Sequence, residues 1–294
     1  MSSIDKTKLS RREAMAAMGV LAAACCTGTA RAADAAPAVK AKASLQLYTM
    51  RDPAKKDLPG TLKKCREMGW EYVQWSGMPD MPAEKIREAL DTAGLKAVAC
   101  HCGVEGFEKD FEGQVKFWKT VGVTQVGPGG MMGDCQDSLE AWLAGAKRLD
   151  ELGAKLRAVD MTLAFHNHDK EFKKFEGDPR CKLDILYEST KPENLHAELD
   201  IAWVFVGGAN PAEYIRKYAG RCPMIHAKDL AQKKTLTGGV QFKALGTGCL
   251  DWPSIFAAGK EAGIEYYTYE QDNCQGDIFE AAKTSYDFLA KNLA

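Results

Sequence analysis

Met161-Thr162-Leu163-Ala164-Phe165-His166-Asn167-His168-Asp169-Lys170-Glu171 runs from a short β-rich stretch directly into polar side chains. Three later segments repeat the form. His196-Ala197-Glu198-Leu199 ends in Asp200, Pro223-Met224-Ile225-His226 runs into Ala227-Lys228-Asp229, and Glu265-Tyr266-Tyr267-Thr268-Tyr269 ends in Glu270-Gln271-Asp272. Two Glu, one Asp and one His can be drawn from these ends, one from each, a mixture of hard oxygens and imidazole that suits a divalent ion such as Mn²⁺, Co²⁺, Mg²⁺ or Zn²⁺.

Working outward, the chain alternates strands and helices. Leu45–Tyr48, Glu71–Trp75, Leu95–Cys100 and Thr124–Val126 read as four earlier strands. Helices follow around 62–68, 83–93 and 115–118, and Leu139, Trp142, Leu143, Ala146, Leu149 and Leu152 mark a long amphipathic one by their spacing. Pro82 and Gly94 bracket the helix over Ala83–Ala93. Further helices are expected over 183–189, 211–218, 252–262 and 277–289. Eight strands each followed by a helix predict an α/β fold, a closed parallel (β/α)8 TIM barrel. An open doubly wound sheet is the alternative, but no G-x-G-x-x-G follows the first strand.

Lys6, Lys8 and Ser10-Arg11-Arg12 precede an apolar run from Ala14 to Ala24, and Ala30-Arg31-Ala32 offers a small-x-small cleavage site. Residues 1–32 therefore read as a twin-arginine export signal and 33–294 as one barrel domain. The expected product is periplasmic or otherwise exported and free of the membrane, since the apolar run is shorter than the ~20 residues of a spanning helix. A net charge of -1 gives no basic footprint for nucleic acid. The ten Cys form no CxxC pairs and read as mostly buried free thiols.

Active sites of such barrels lie at the carboxyl ends of the strands, where the polar segments fall. Alternation along a strand sets Glu198 and His196 beneath Asp200, Thr268 and Tyr266 beneath Glu270, and Met224 beneath His226. His101 at the third strand end and His168 are candidate acids or bases. Lys228, Arg51, His166 and Trp203 are candidate substrate-binding residues, the indole by stacking on a sugar ring. The loop from Leu230 to Leu245 is a candidate lid or homo-oligomer contact.

The chain resembles the sugar phosphate isomerase/epimerase family of xylose isomerase-like barrels. The resemblance rests on Leu45–Asp52, His166-Asn167-His168 with Glu171-Phe172, Leu199-Asp200 with Trp203, His226-Ala227-Lys228-Asp229, Gly246-Thr247-Gly248 and Glu270-Gln271-Asp272-Asn273. It implies one divalent metal ion held by Glu171, Asp200, His226 and Glu270, with Glu171 and Glu270 as proton carriers. Two departures bear on the site. In the sugar-epimerase branch a Glu ends the fifth strand directly, whereas here Glu171 comes later, so His168 and His166 remain alternatives for that ligand. That branch also has a His where this chain has Trp203.

Beside a carbonyl, such a metal and its carboxylates imply proton transfer through a metal-stabilised enediolate. The leading expectation is an isomerase or epimerase acting on a small carbohydrate. A lyase or hydratase working on a 3-keto-glycoside or keto-cyclitol is the alternative, because the same intermediate can expel a β-substituent. A non-catalytic carbohydrate-binding barrel is the third.

Overall fold

In the computed structural model, residues 40–232 and 239–294 are described. The expected signal at 1–32 and positions 233–238 of the candidate lid lie outside the described residues. The strands are β1 (Lys42–Gln46), β2 (Tyr72–Trp75), β3 (Lys96–His101), β4 (Gln125–Gly127), β5 (Thr162–His166), β6 (Leu195–Asp200), β7 (Met224–Ala227), β8 (Asp229–Leu230), β9 (Phe242–Lys243) and β10 (Tyr266–Tyr269). Eight of them close in the order β1-β10-β7-β6-β5-β4-β3-β2, and every pairing in that ring is parallel. β8 and β9 form a separate antiparallel ribbon beyond β7. The expected (β/α)8 TIM barrel is therefore the observed fold.

The helices lie where apolar spacing demands. Leu139–Arg157 starts on Ser138, whose side chain accepts the Ala141 N–H, and buries Trp142, Ala146, Leu149, Leu152 and Leu156. Covering each of the large apolar side chains contributes roughly 1.5–3 kcal/mol relative to leaving it in water. Ala83–Ala93 stops at Gly94, which has φ of +73° and supplies the left-handed cap.

The first strand differs from its sequence reading. It ends at Gln46, and Leu47–Met50 turns as a 3-10 segment because the Gln46 side chain accepts the Tyr48 N–H at 3.3 Å. That local bond competes with continuing the ladder. The ribbon and the short helix Ile201–Val206 lay outside the expected strand-helix count.

Parallel register fixes which side chains meet. Opposite His166 lies Glu198, and opposite Asp200 lies His226. At Gly127 on β4, a Cβ would come within 1.8 Å of the Ala164 carbonyl oxygen. A glycine there lets β4 approach β5 at the level of the site. The barrel centre beneath the mouth is polar, with Gln46, Gln74, Gln125 and Glu198 all buried. All eight cysteines among the described residues are free thiols, with Cys100 and Cys102 Sγ atoms 3.7 Å apart.

Candidate metal centre

Asp200 ends β6 and begins the helix Ile201–Val206. Its Oδ1 accepts the N–H groups of Ala202 and Trp203, both at 3.0 Å, which supplies an N-cap. That leaves Oδ2 facing the barrel axis, 3.8 Å from His166 Nε2 and 3.0 Å from Lys228 Nζ. Asn167, also buried, ties the β5 end to β6 by accepting the Asp200 N–H at 3.1 Å.

His226 is wholly buried between two carboxylates. Its Nδ1 lies 2.8 Å from Glu270 Oε2, and its Nε2 lies 2.9 Å from Glu198 Oε1 and 2.7 Å from Gln74 Oε1. Glu198 also meets His101 Nε2 at 2.6 Å and accepts from the amides of Gln74 and Gln125. Two groups of ligand atoms result, each with all atoms within 4.8 Å of one another. One is His166, Asp200, His226 and Glu270; the other is His101, His166, Glu198 and His226. The first sits at the ends of four strands, and its two carboxylates and two imidazoles fit a divalent ion by donor chemistry.

Lys228 is 1 % exposed and lies among acids. Its ammonium is 3.0 Å from Asp200, 2.9 Å from Glu270 and 3.0 Å from both oxygens of Asp272. Neighbouring charges set the protonation states. Burial opposes ionising Glu270, but Lys228 and His226 outweigh it and hold its carboxyl well below the usual range. Asp272, two residues on, moves the other way: burial raises it, only partly offset by Lys228. Burial lifts Asp200 to about 6. Burial pushes His166 well down, and it pushes His168, which also feels Lys228, to about 4, so both rings are neutral near pH 7.

Burial also disfavours a charged His226, yet Glu198 and Glu270 carry it to about 10. The folded state thus keeps a proton that an unfolded histidine releases near pH 6.5. Between those values unfolding releases a proton, so stability falls as pH rises toward 10. Chelator-treated protein should lose thermal stability across that window, and a His226→Gln variant should lose much less. Equal slopes in a pH series of melting temperatures would remove His226 as the cause.

Of the residues singled out from sequence, the structure brings Asp200, His226, Glu270 and Lys228 together with His166, which joins both groups through its two ring nitrogens. Glu171 is in neither group. It is 1 % exposed, and its carboxylate closes a capping box by accepting the His168 N–H at 2.8 Å, while His166 is the β5 residue that joins the quartet. The cause is the turn Asp169–Phe172, which carries Glu171 past the strand end. His101 is on the barrel wall against Glu198. His168 and Trp203 flank the mouth, ring centres 5.7 Å apart, with Lys228 Nζ 5.9 Å from the indole. Arg51 donates to the carbonyls of Tyr48 and Asp272 and braces the loop after β10.

Gln74, Glu198 and Asp272 are the site residues that sequence reasoning passed over. Alternation had set Glu198 on the inward face beneath Asp200, and Asp272 shares the parity of Glu270; both signals were available. Asp229 does not pair with Lys228. Its oxygens accept N–H groups from Leu230, Gly246, Gly248, Leu250 and the Trp252 indole, fixing the segment that returns from the ribbon.

A family profile described as xylose isomerase-like TIM barrel matches residues 62–292. The chain belongs to that family. Among curated proteins it is similar to an inosose dehydratase of Lacticaseibacillus casei, 25 % identical over 165 residues that cover 51 % of this chain and 54 % of the relative. A Geobacillus kaustophilus inosose dehydratase is 26 % identical over 125 residues, covering 37 % and 40 %. The chain spans about half the length of the curated relatives it matches, or less. Among solved structures, a Parabacteroides distasonis sugar phosphate isomerase/epimerase has a TM-score of 0.72 at 18 % identity, with 87 % of this chain and 95 % of that one covered. An L-ribulose 3-epimerase gives 0.66 at 17 %, covering 86 % and 94 %. At such identities the structural likenesses establish the fold alone.

Proposed function

We propose that this member of the xylose isomerase-like TIM barrel family is a divalent-metal-dependent lyase that removes water from a cyclic polyhydroxy ketone of the keto-cyclitol or 3-keto-glycoside class. The observation that carries this reading is the sharing of one ammonium, Lys228, by two carboxyl groups driven in opposite directions, Glu270 toward the ionised form and Asp272 toward the protonated one. Titratable neighbours pushed apart in this way mark a base and an acid. An ion held by His166, Asp200, His226 and Glu270 would polarise the ketone and stabilise the charge that develops on its oxygen.

The chain's own residues supply the rest. Glu270 takes the proton from the carbon beside the carbonyl. The Lys228 ammonium donates a hydrogen bond to the oxygen that gains negative charge. Asp272, 26 % exposed at its side chain, gives its proton to the departing hydroxyl, which leaves as water. His168 and Trp203 wall the mouth, and the indole face suits the apolar face of a sugar or cyclitol ring.

The inosose dehydratase relatives support elimination. So does the position of Glu171: proton exchange on both faces of one carbon needs a second base opposite Glu270, and that carboxylate instead caps a turn. Isomerisation, in which one carboxylate moves a proton between adjacent carbons, is the second reading, and the single ionised Glu270 favours it over epimerisation. The export signal at 1–32 belongs to the same proposal, since an exported enzyme meets unphosphorylated sugars.

The test is incubation of the metal-loaded protein with an inosose and with 3-keto-glycosides in D2O, read by mass spectrometry. A product lighter by one water is expected. Deuterium uptake at carbon without loss of water would move isomerisation to the front, and neither water loss nor deuterium uptake with any polyhydroxy ketone would sink both.

A further inference from the structure

We propose that the barrel offers a second divalent-cation position one layer below the quartet, made by His101 Nε2, His166 Nδ1 and Glu198 Oε1, with His226 Nε2 beside them. The proposed function requires one ion, so this inference goes beyond it while sharing His166 and His226 with its site.

Three observations carry it. The donor set is three imidazoles and one carboxylate from β3, β5, β6 and β7, with all ligand atoms within 4.8 Å of one another. Such a nitrogen-rich set suits Zn²⁺, Co²⁺ or Mn²⁺.

The second observation is the posture of His166. Its ring is 3 % exposed and presents Nδ1 to Glu198 at 3.6 Å and Nε2 to Asp200 at 3.8 Å. Both separations exceed a hydrogen bond, and Nδ1 has no hydrogen-bond partner among the described residues. Orphaned buried nitrogens are costly and rare. A tetrahedral cation with bonds of about 2.1 Å to nitrogen and oxygen spaces those two atoms by roughly 3.4 Å, close to the separations found on both sides of the ring.

The third is the electrostatic environment of Glu198. The Gln125 amide donates to Oε2 at 3.2 Å and the Gln74 amide to both oxygens at 3.1 Å, while Oε1 also faces His101 Nε2 at 2.6 Å and His226 Nε2 at 2.9 Å. Lys228 pairs with the outer acids Asp200, Glu270 and Asp272, and none of its ion pairs reaches Glu198. An ion in the deep group therefore meets a carboxylate without displacing an ammonium. His101 also lines a cavity of about 460 Å³, together with Gly129, Gly130 and Lys170, so one member of the deep group borders open space. With both positions filled, His166 would offer Nδ1 to the deep ion and Nε2 to the outer one, its ring proton passing to solvent.

The experiment is elemental analysis of the whole protein after saturation with Zn²⁺ or Co²⁺ and gel filtration. About two equivalents are expected in the wild type, with about one left in Glu198→Gln and about one in Asp200→Ala. His101→Gln, altered at the wall of the open cavity, gives the same reading if Glu198→Gln does not fold. One equivalent that survives Glu198→Gln and His101→Gln but is lost in Asp200→Ala overturns the deep position and leaves the proposed function standing. One equivalent lost only in the deep variants supports the deep position and overturns the outer quartet. No stoichiometric metal in the wild type overturns both.

Discussion

Glu270→Gln should lower turnover by on the order of 10³-fold while the protein remains folded. The amide keeps the volume of the side chain and one oxygen, so packing at the end of β10 is preserved. It cannot accept the substrate proton, and it is a poorer ligand than a carboxylate. It also removes one of the three acidic groups around Lys228 and one of the two carboxylates beside His226. Metal content measured beside kcat separates these losses. A variant that retains its ion yet does not turn over assigns Glu270 as the base, whereas wild-type kcat at full metal loading would eliminate it from the chemistry.

Lys228→Met should destabilise the chelator-treated protein by about 3–5 kcal/mol, because three acids lose their common cation inside the barrel mouth. The thioether fills most of the volume, so the loss is electrostatic in origin. A divalent ion at the quartet supplies the missing positive charge. Saturating metal should therefore restore the variant more than it raises the wild type, in which ammonium and ion compete for Asp200 and Glu270. Denaturation with and without metal reads this directly. Equal metal-induced increments in the two proteins would mean that Lys228 and the ion do not share the site.

Glu198 and Glu171 show how far one chain of letters reaches. Alternation along β6 set Glu198 inward, but only closure of the ring brings it against His101 from β3 and Gln74 from β2, residues 97 and 124 positions away. Glu171 carried the expected residue type near the expected strand end. Its direction depended on a 3-10 turn closed by a His168 N–H, a contact too local and too geometric for spacing to reveal. The neighbouring Asn167 side chain, which ties the two strand ends together, is of the same kind.

The sequence by itself determined the barrel and the mouth residues Asp200, His226, Lys228 and Glu270. Strand-helix alternation admits few closed architectures, and a parallel barrel sends every strand end to one face. Tertiary structure alone decided which nitrogen of His166 and His226 faces which carboxylate, the release of Glu171 from the cluster, and the sharing of Lys228 by Glu270 and Asp272. Those outcomes depend on distances of a few ångströms between residues far apart in the chain. Side-chain parity specifies a face but not a rotamer, and the protonation of a buried group follows from the charges that the closed barrel sets around it.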